Sequence, residues 1–217
     1  MADAATERPD TDDMMAVHRV FRESLAAAPG LVDSVSDDER RALIANYLAN
    51  VMSFLDVHHD GEEQIVFPVL IERSPKSTPV VEQMVADHEQ VVRLLQGVNE
   101  ALARWERGDD PDGTAVKASL QALDQGLESH LNGEEADLLP IAGECLTVEE
   151  WGSLPGHGFA NFQGDKVWLI LGLIREQMND EQRAAMLQNM PPPARQMWDT
   201  MGESAFNELI AEVRQVS

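Results

Sequence analysis

Basic residues are scarce in this sequence. Sixteen lysines and arginines stand against thirty-nine aspartates and glutamates, for a formal charge of −23. A chain this acidic is repelled by nucleic acid and by anionic lipid surfaces, so neither is expected as a partner. The same excess keeps a surface solvated and leaves many hard oxygen ligands for a metal. Cysteine occurs once, as Cys145. No internal disulfide can form, which suits a reducing compartment, and a cytoplasmic location is expected. Cys145 itself reads as a small buried hydrophobe. Aromatic residues make up only 5 %, with a single tyrosine, Tyr47. That scarcity argues against an all-β fold. No apolar run approaches the roughly 18 residues of a membrane span; the longest is VWLILGLI at 167–174. The opening MADAATERPDTDD has neither the basic nor the apolar region of a signal peptide.

What is present is helical periodicity. Residues 1–11 read as a flexible tail. A first helix starts at about Asp12 or Asp13, carries Met14, Val17, His18, Phe21 and Leu25 on one face, and is expected to stop at Pro29-Gly30. A second starts from a capping box of Ser36 and Glu39, with Leu43, Tyr47, Val51, Phe54 and His58 as its stripe. Pro68 should kink or end it. A third covers about 78–107, with Met84, His88, Val91 or Val92, Leu95, Val98 and Leu102 inward. After the loop GDDPDG at 108–113, a fourth runs from Thr114 to Leu139, where Pro140 ends it. Four long amphipathic helices with short connections predict an all-α, antiparallel four-helix bundle over 12–142. Residues 143–217 read as a helical extension packed on the bundle. It opens with an irregular link around Trp151–Phe159, then a strongly apolar helix over Asp165–Met178, a surface that also makes a homo-oligomer conceivable.

Two segments repeat one another. HHDGEEQIVFP at 58–68 aligns with HLNGEEADLLP at 130–140, and seven of eleven positions agree by residue or by type. Residues four apart lie on one helical face, so His58 with Glu62, and His130 with Glu134, can each present an imidazole and a carboxylate to one metal site. Glutamate is long enough to bridge two ions. The first and third helices each add an inward histidine, His18 and His88. His59 and Glu63 are also four apart, but the repeat, counted back from each proline, selects Glu62 and Glu134. His59, Glu63 and Glu135 are therefore read as flanking groups, and His157, in LPGHGF, as a loop histidine. The metal ligands expected are His18, His58, Glu62, His88, His130 and Glu134. Imidazole with carboxylate and no thiolate suits iron, manganese or zinc.

These residues resemble the hemerythrin-like family, the HHE cation-binding domain, through His18, HHDGEEQIVFP, ADHEQ at 86–90 and HLNGEEADLLP. The resemblance implies a four-helix bundle around two iron ions, oxo- or hydroxo-bridged, with manganese or zinc as alternatives. It also implies a small diatomic ligand or peroxide as partner. The oxygen-carrying members have a second histidine four residues on in the third helix, where this chain has Val92, and end on histidine with an aspartate five on, where this chain has Glu134. With one histidine fewer, an exchangeable position is expected on the metal. That favours binding or turnover of nitric oxide, peroxide or dioxygen in oxidative or nitrosative stress defence, as a peroxidase-like, catalase-like or nitric-oxide-consuming oxidoreductase. The alternatives are a non-enzymatic iron or oxygen sensor or store, and an iron donor for cluster repair. Val92, Phe54 and Leu127 would form an apolar wall against water. Tyr47, about 16 Å along the helix from His58 at ~1.5 Å per residue, is either a core aromatic or a donor to the bound ligand.

Overall fold

A computed structural model of the chain describes residues 8–162 and 165–215; the first seven residues of the expected tail lie outside it. Among the described residues every regular element is helical. The first rod is α1 (Asp12–Asp33). The second is α2 (Asp38–Gly61), prolonged by α3 (Phe67–Arg73). The third is α4 (Thr78–Glu106), and the fourth is α5 (Thr114–Gly133), prolonged by α6 (Leu139–Cys145). α1 packs on α2 and α5, and α4 packs on α2 and α5. Each rod thus lies beside two others in a closed square, the arrangement of an antiparallel bundle with short loops.

Several boundaries differ from the sequence reading. α1 continues through Pro29-Gly30 to Asp33, with buried Ala28, Leu31 and Val32 holding its last turns to the core. Burial here outweighs the local breaking tendency of the two residues. The cap of α2 is Asp37, not Ser36: its carboxylate accepts the Arg40 N–H at 2.8 Å, while the Ser36 hydroxyl donates to the same carboxylate. A carboxylate is the stronger acceptor at a helix N-terminus. Pro68 and Pro140 end nothing. Each is preceded by one π turn, Glu62–Val66 and Glu134–Leu138, in which the N–H of Phe67 or Leu139 reaches back to the carbonyl of Glu62 or Glu134. The widened turn lets each proline enter as an early residue of the next helical stretch, where its missing N–H costs little.

The expected irregular link is also helical. α7 (Val148–Trp151) carries a full capping box between Thr147 and Glu150, and α8 (Leu154–Asn161) follows. Next come α9 (Asp165–Glu176), α10 (Asp180–Asn189), α11 (Pro192–Met197), a third π turn at Trp198–Gly202, and α12 (Glu203–Arg214). Leu169, Leu171, Trp198, Phe206 and Ile210 join the same buried cluster as Phe21, Leu48 and Leu120 of the bundle. The apolar run of α9 is therefore spent inside the chain. Trp168, Leu169, Ile170, Leu171 and Leu173 are all buried, so the surface proposed from sequence for self-association is not free. No helix among the described residues is long and apolar enough to cross a membrane.

A second apolar cluster, with Met14, Val66, Phe67, Leu70, Met84 and Leu138, occupies the other end of the bundle. Between the two lies the layer of histidines and glutamates.

The fit of α12 on α9 depends on Gly172, where a Cβ would lie 2.2 Å from the Phe206 ring. Gly172→Ala should displace that ring. The overpacking exceeds the gain in helix propensity and leaves a net loss of about 1–2 kcal/mol, measurable by urea denaturation, with metal content retained.

Candidate metal centre

Each rod delivers its polar side chains at the same level. α1 carries His18, α4 carries His88, and the twin segments of α2 and α5 carry His58, His59 and Glu62, and His130 and Glu134. Both glutamates open a π turn, a distortion that often accompanies a functional site because it re-aims a side chain without ending the helix.

The six residues expected from sequence come together. Two groups form, each with ligand atoms within 4.8 Å of one another: His18, His58, Glu62 and Glu134, and His59, Glu62, His88 and His130. Glu62 belongs to both. Its Oε1 is 3.3 Å from His58 Nε2, and its Oε2 is 3.4 Å from His88 Nε2. Glu134 also spans the groups: its Oε2 is 3.4 Å from His18 Nε2 and 3.7 Å from His130 Nε2. None of these four contacts has hydrogen-bond geometry. Eleven nitrogen and oxygen atoms of the seven side chains are buried without any partner. Buried polar atoms are normally satisfied, so this donor set fits cations placed between the rings and carboxylates.

His59 is the residue that the sequence reading placed outside. It is buried, stacks on His88 with ring centroids 4.0 Å apart, and meets His130 edge-on at 5.0 Å. The repeat misled because His59 aligns with Leu131. Yet Leu131 is itself fully buried, so that position faces inward in both helices. At ~100° per residue, Glu62 lies angularly between His58 and His59, and all three fit within a buried stripe of ordinary width. The chain thus brings five histidines together, not four, so no missing histidine gives ground for an exchangeable position.

Val92 is exposed (38 %) and lines no wall. The buried stripe of α4 runs through Met84, His88, Val91, Leu95 and Val98, leaving Val92 at its margin. Phe54 and Leu127 are buried, and Phe54 packs on Phe21, whose ring lies 5.3 Å from that of His58. Tyr47 does not join the cluster. Its hydroxyl is 3.3 Å from that of Ser24, and it lines a polar cavity with Glu23, Glu176 and Arg214 instead.

Glu63 and Glu135 hold the rings from behind. Glu135 Oε1 is 2.8 Å from His18 Nδ1, and Glu63 Oε1 is 2.8 Å from His88 Nδ1. Each contact sets the ring's tautomer and turns Nε2 toward the cluster. Arg22 extends the first of these, donating to Glu135 at 2.6 Å and to Glu128 at 2.9 Å. The repeat therefore encodes two roles: the first glutamate of each pair faces the centre, and the second orients a histidine on the neighbouring rod.

Burial pushes the imidazoles of His58 and His59 well below their ordinary range, lowers His88 against the pull of Glu63, and brings His130 to about 4. They are neutral lone-pair donors at neutral pH, the form a metal needs. Burial also opposes charge on His18, but Glu134 and Glu135 outweigh it and push that ring up to about 9. Burial, and then Glu134, pushes the Glu62 carboxyl well above its usual range. Against its own burial, Glu134 is held well below that range by His18 and then His58. Two like carboxyls in one dry site cannot both ionise without cations.

A sequence profile of the hemerythrin HHE cation-binding domain matches residues 10–142. The chain belongs to this family, and it carries a His/Glu cluster able to bind metal. No curated protein and no solved structure matches it.

Glu63→Gln and Glu135→Gln should each weaken metal affinity by about 10–100-fold, and His59→Ala should lower it at least as much, read by competition with a chelator. Unchanged affinity in His59→Ala would remove that residue from the ligand set. The metal-stripped protein should also lose stability on both sides of neutrality. As pH falls below 6.5 toward about 4, the unfolded chain takes up protons that the depressed histidines refuse. As pH rises from 6.5 toward about 9, His18 loses the proton that the folded state favours. Urea midpoints across this range check both arms.

Proposed function

We propose that the cluster holds two iron ions and that the protein binds or turns over small oxidants (nitric oxide, peroxide or dioxygen) in oxidative or nitrosative stress defence. The observation that carries this reading is the pair of four-residue groups sharing Glu62 in a core where eleven of their nitrogen and oxygen atoms have no partner. His18, His58 and Glu134 would hold one ion and His59, His88 and His130 the other, with Glu62 and Glu134 spanning the two. Imidazole with carboxylate and no thiolate suits iron first, with manganese and zinc as alternatives. Bound there, such a pair supplies coordination for a small ligand and a one-electron change of oxidation state.

The chain's own contribution is pre-organisation. Glu63 and Glu135 fix ring tautomers, and Arg22 braces Glu135. Phe21, Phe54 and Leu127 keep water from the layer. The low basicity of four of the imidazoles removes proton competition for their lone pairs.

A sensor is the second reading, favoured by the links between α1 and the extension. Arg19 donates to the Gln177 carbonyl at 2.8 Å, and the Trp151 indole donates to Asp13 at 3.0 Å. A shift of His18 on metal binding would therefore be felt in residues 143–217. Iron-dependent protease sensitivity without consumption of peroxide or nitric oxide would favour the sensor.

Elemental analysis of the purified protein should find two irons per chain, and near-ultraviolet bands should change on addition of hydrogen peroxide or nitric oxide. His58→Ala or Glu134→Ala should abolish stoichiometric iron. A wild-type protein with no metal, or with one zinc, would overturn the di-iron reading.

A further inference from the structure

Between the bundle and the extension lies an apolar cavity of about 150 Å³. Its floor is α2, where it touches Phe54, Val57, His58 and Gly61, and α1 adds Met14 and Val17. The roof comes from outside the family-matched residues: α8, α9 and Met186 of α10. Gly61 lets this roof come down, since a Cβ there would lie only 3.3 Å from both Leu154 and His157. α8 contributes no fully buried side chain and is the thin wall.

His58 is the single member of the seven-residue cluster that lines this cavity, and at 9 % it is the most exposed of the seven. The cavity therefore ends against a ring whose other side faces the metal layer. The pocket opens to solvent on one side, but its apolar lining and volume match those of enclosed voids of roughly 150 Å³ that take up benzene or xenon. A water would need two to four convergent polar partners. Here the Asp13 carboxylate already accepts the Trp151 indole N–H at 3.0 Å, and His157 Nε2 lies 3.5 Å from the Asn161 amide.

We propose that the extension makes this face of the bundle into a binding pocket for one small apolar molecule, of benzene size or less, held between α8, α9 and the ring of His58. Two sources share that chemistry, a dissolved gas and a small hydrocarbon. The pocket would select what reaches His58 by size and lack of polarity. Occupancy does not require metal in the layer, so the inference stands separately from the di-iron reading.

The test uses full-length protein, metal-loaded and metal-stripped, labelled at the methionine methyls and titrated with xenon and with benzene. Met14, Met178 and Met186 line the pocket, whereas Met52 and Met197 do not. The first three resonances should shift saturably while the other two stay still. Response to xenon alone assigns the pocket to gases, and response to benzene as well extends it to hydrocarbons. Val57→Phe and Val167→Phe fill the space from opposite walls, both at half-buried positions, and each should weaken the response more than tenfold. Lining methyls unmoved by both probes, an equal shift of Met52, or wild-type response in the filled variants would each overturn the proposal.

Discussion

Eleven nitrogen and oxygen atoms, all from five histidines and two glutamates, lie buried in the middle of this bundle without a protein partner. An unsatisfied buried polar atom costs about 1–3 kcal/mol, so an unfilled layer of this kind opposes folding. The rest of the molecule is arranged around that constraint. Two apolar clusters seal the layer from either end. Glu63, Glu135 and Arg22 satisfy the outward faces of His18 and His88 and leave their inward nitrogens for a cation. Cations held in the layer would turn that cost into cohesion between all four rods.

The two π turns are part of the same solution. Each starts at a glutamate of the layer and ends just before a proline. An uninterrupted α-helix would set that proline's ring against the carbonyl four residues back. The extra residue in the turn relieves this clash, so the rod continues for another two turns as α3 or α6. The continuation supplies Phe67, Leu70, Leu139 and Ala142 to the apolar cluster below the layer. Helix irregularity, metal-layer geometry and core closure are thus one feature, used twice.

Beyond the family-matched residues, the extension buries its apolar surface on the bundle. α9 packs on α1, α2 and α12, and α8 crosses α2 above Gly61. The extension leaves open the volume beside His58. A bundle lacking these helices would expose Phe54 and Val57 there; with them, the approach to His58 on that face is narrow and apolar.

Periodicity and the internal repeat were enough to read the all-α bundle, the level of its polar layer, and six of the seven side chains that converge there. Regular helical spacing maps sequence position onto rotation about an axis, and a repeated motif fixes that rotation twice. They also identified Glu63 and Glu135 as flanking groups, without their partners, because a hydrogen bond to His88 or His18 joins residues distant in sequence. What failed were inferences that depended on neighbours. Counting back from each proline selects Glu62 and Glu134 and leaves His59 as a flanking group, although it faces inward beside them. Val92 was placed inside because inward positions on a rim and at a centre look alike until the adjacent rod is present. Tyr47 was left between two roles that only its pairing with Ser24 separates. The apolar run of α9 reads the same whether it is covered by another chain or by α12. Sequence determined which faces are apolar and which carry the histidines and glutamates, because those depend on local rotation. Tertiary structure alone decided which groups meet across helices, because that depends on how the rods are set against one another.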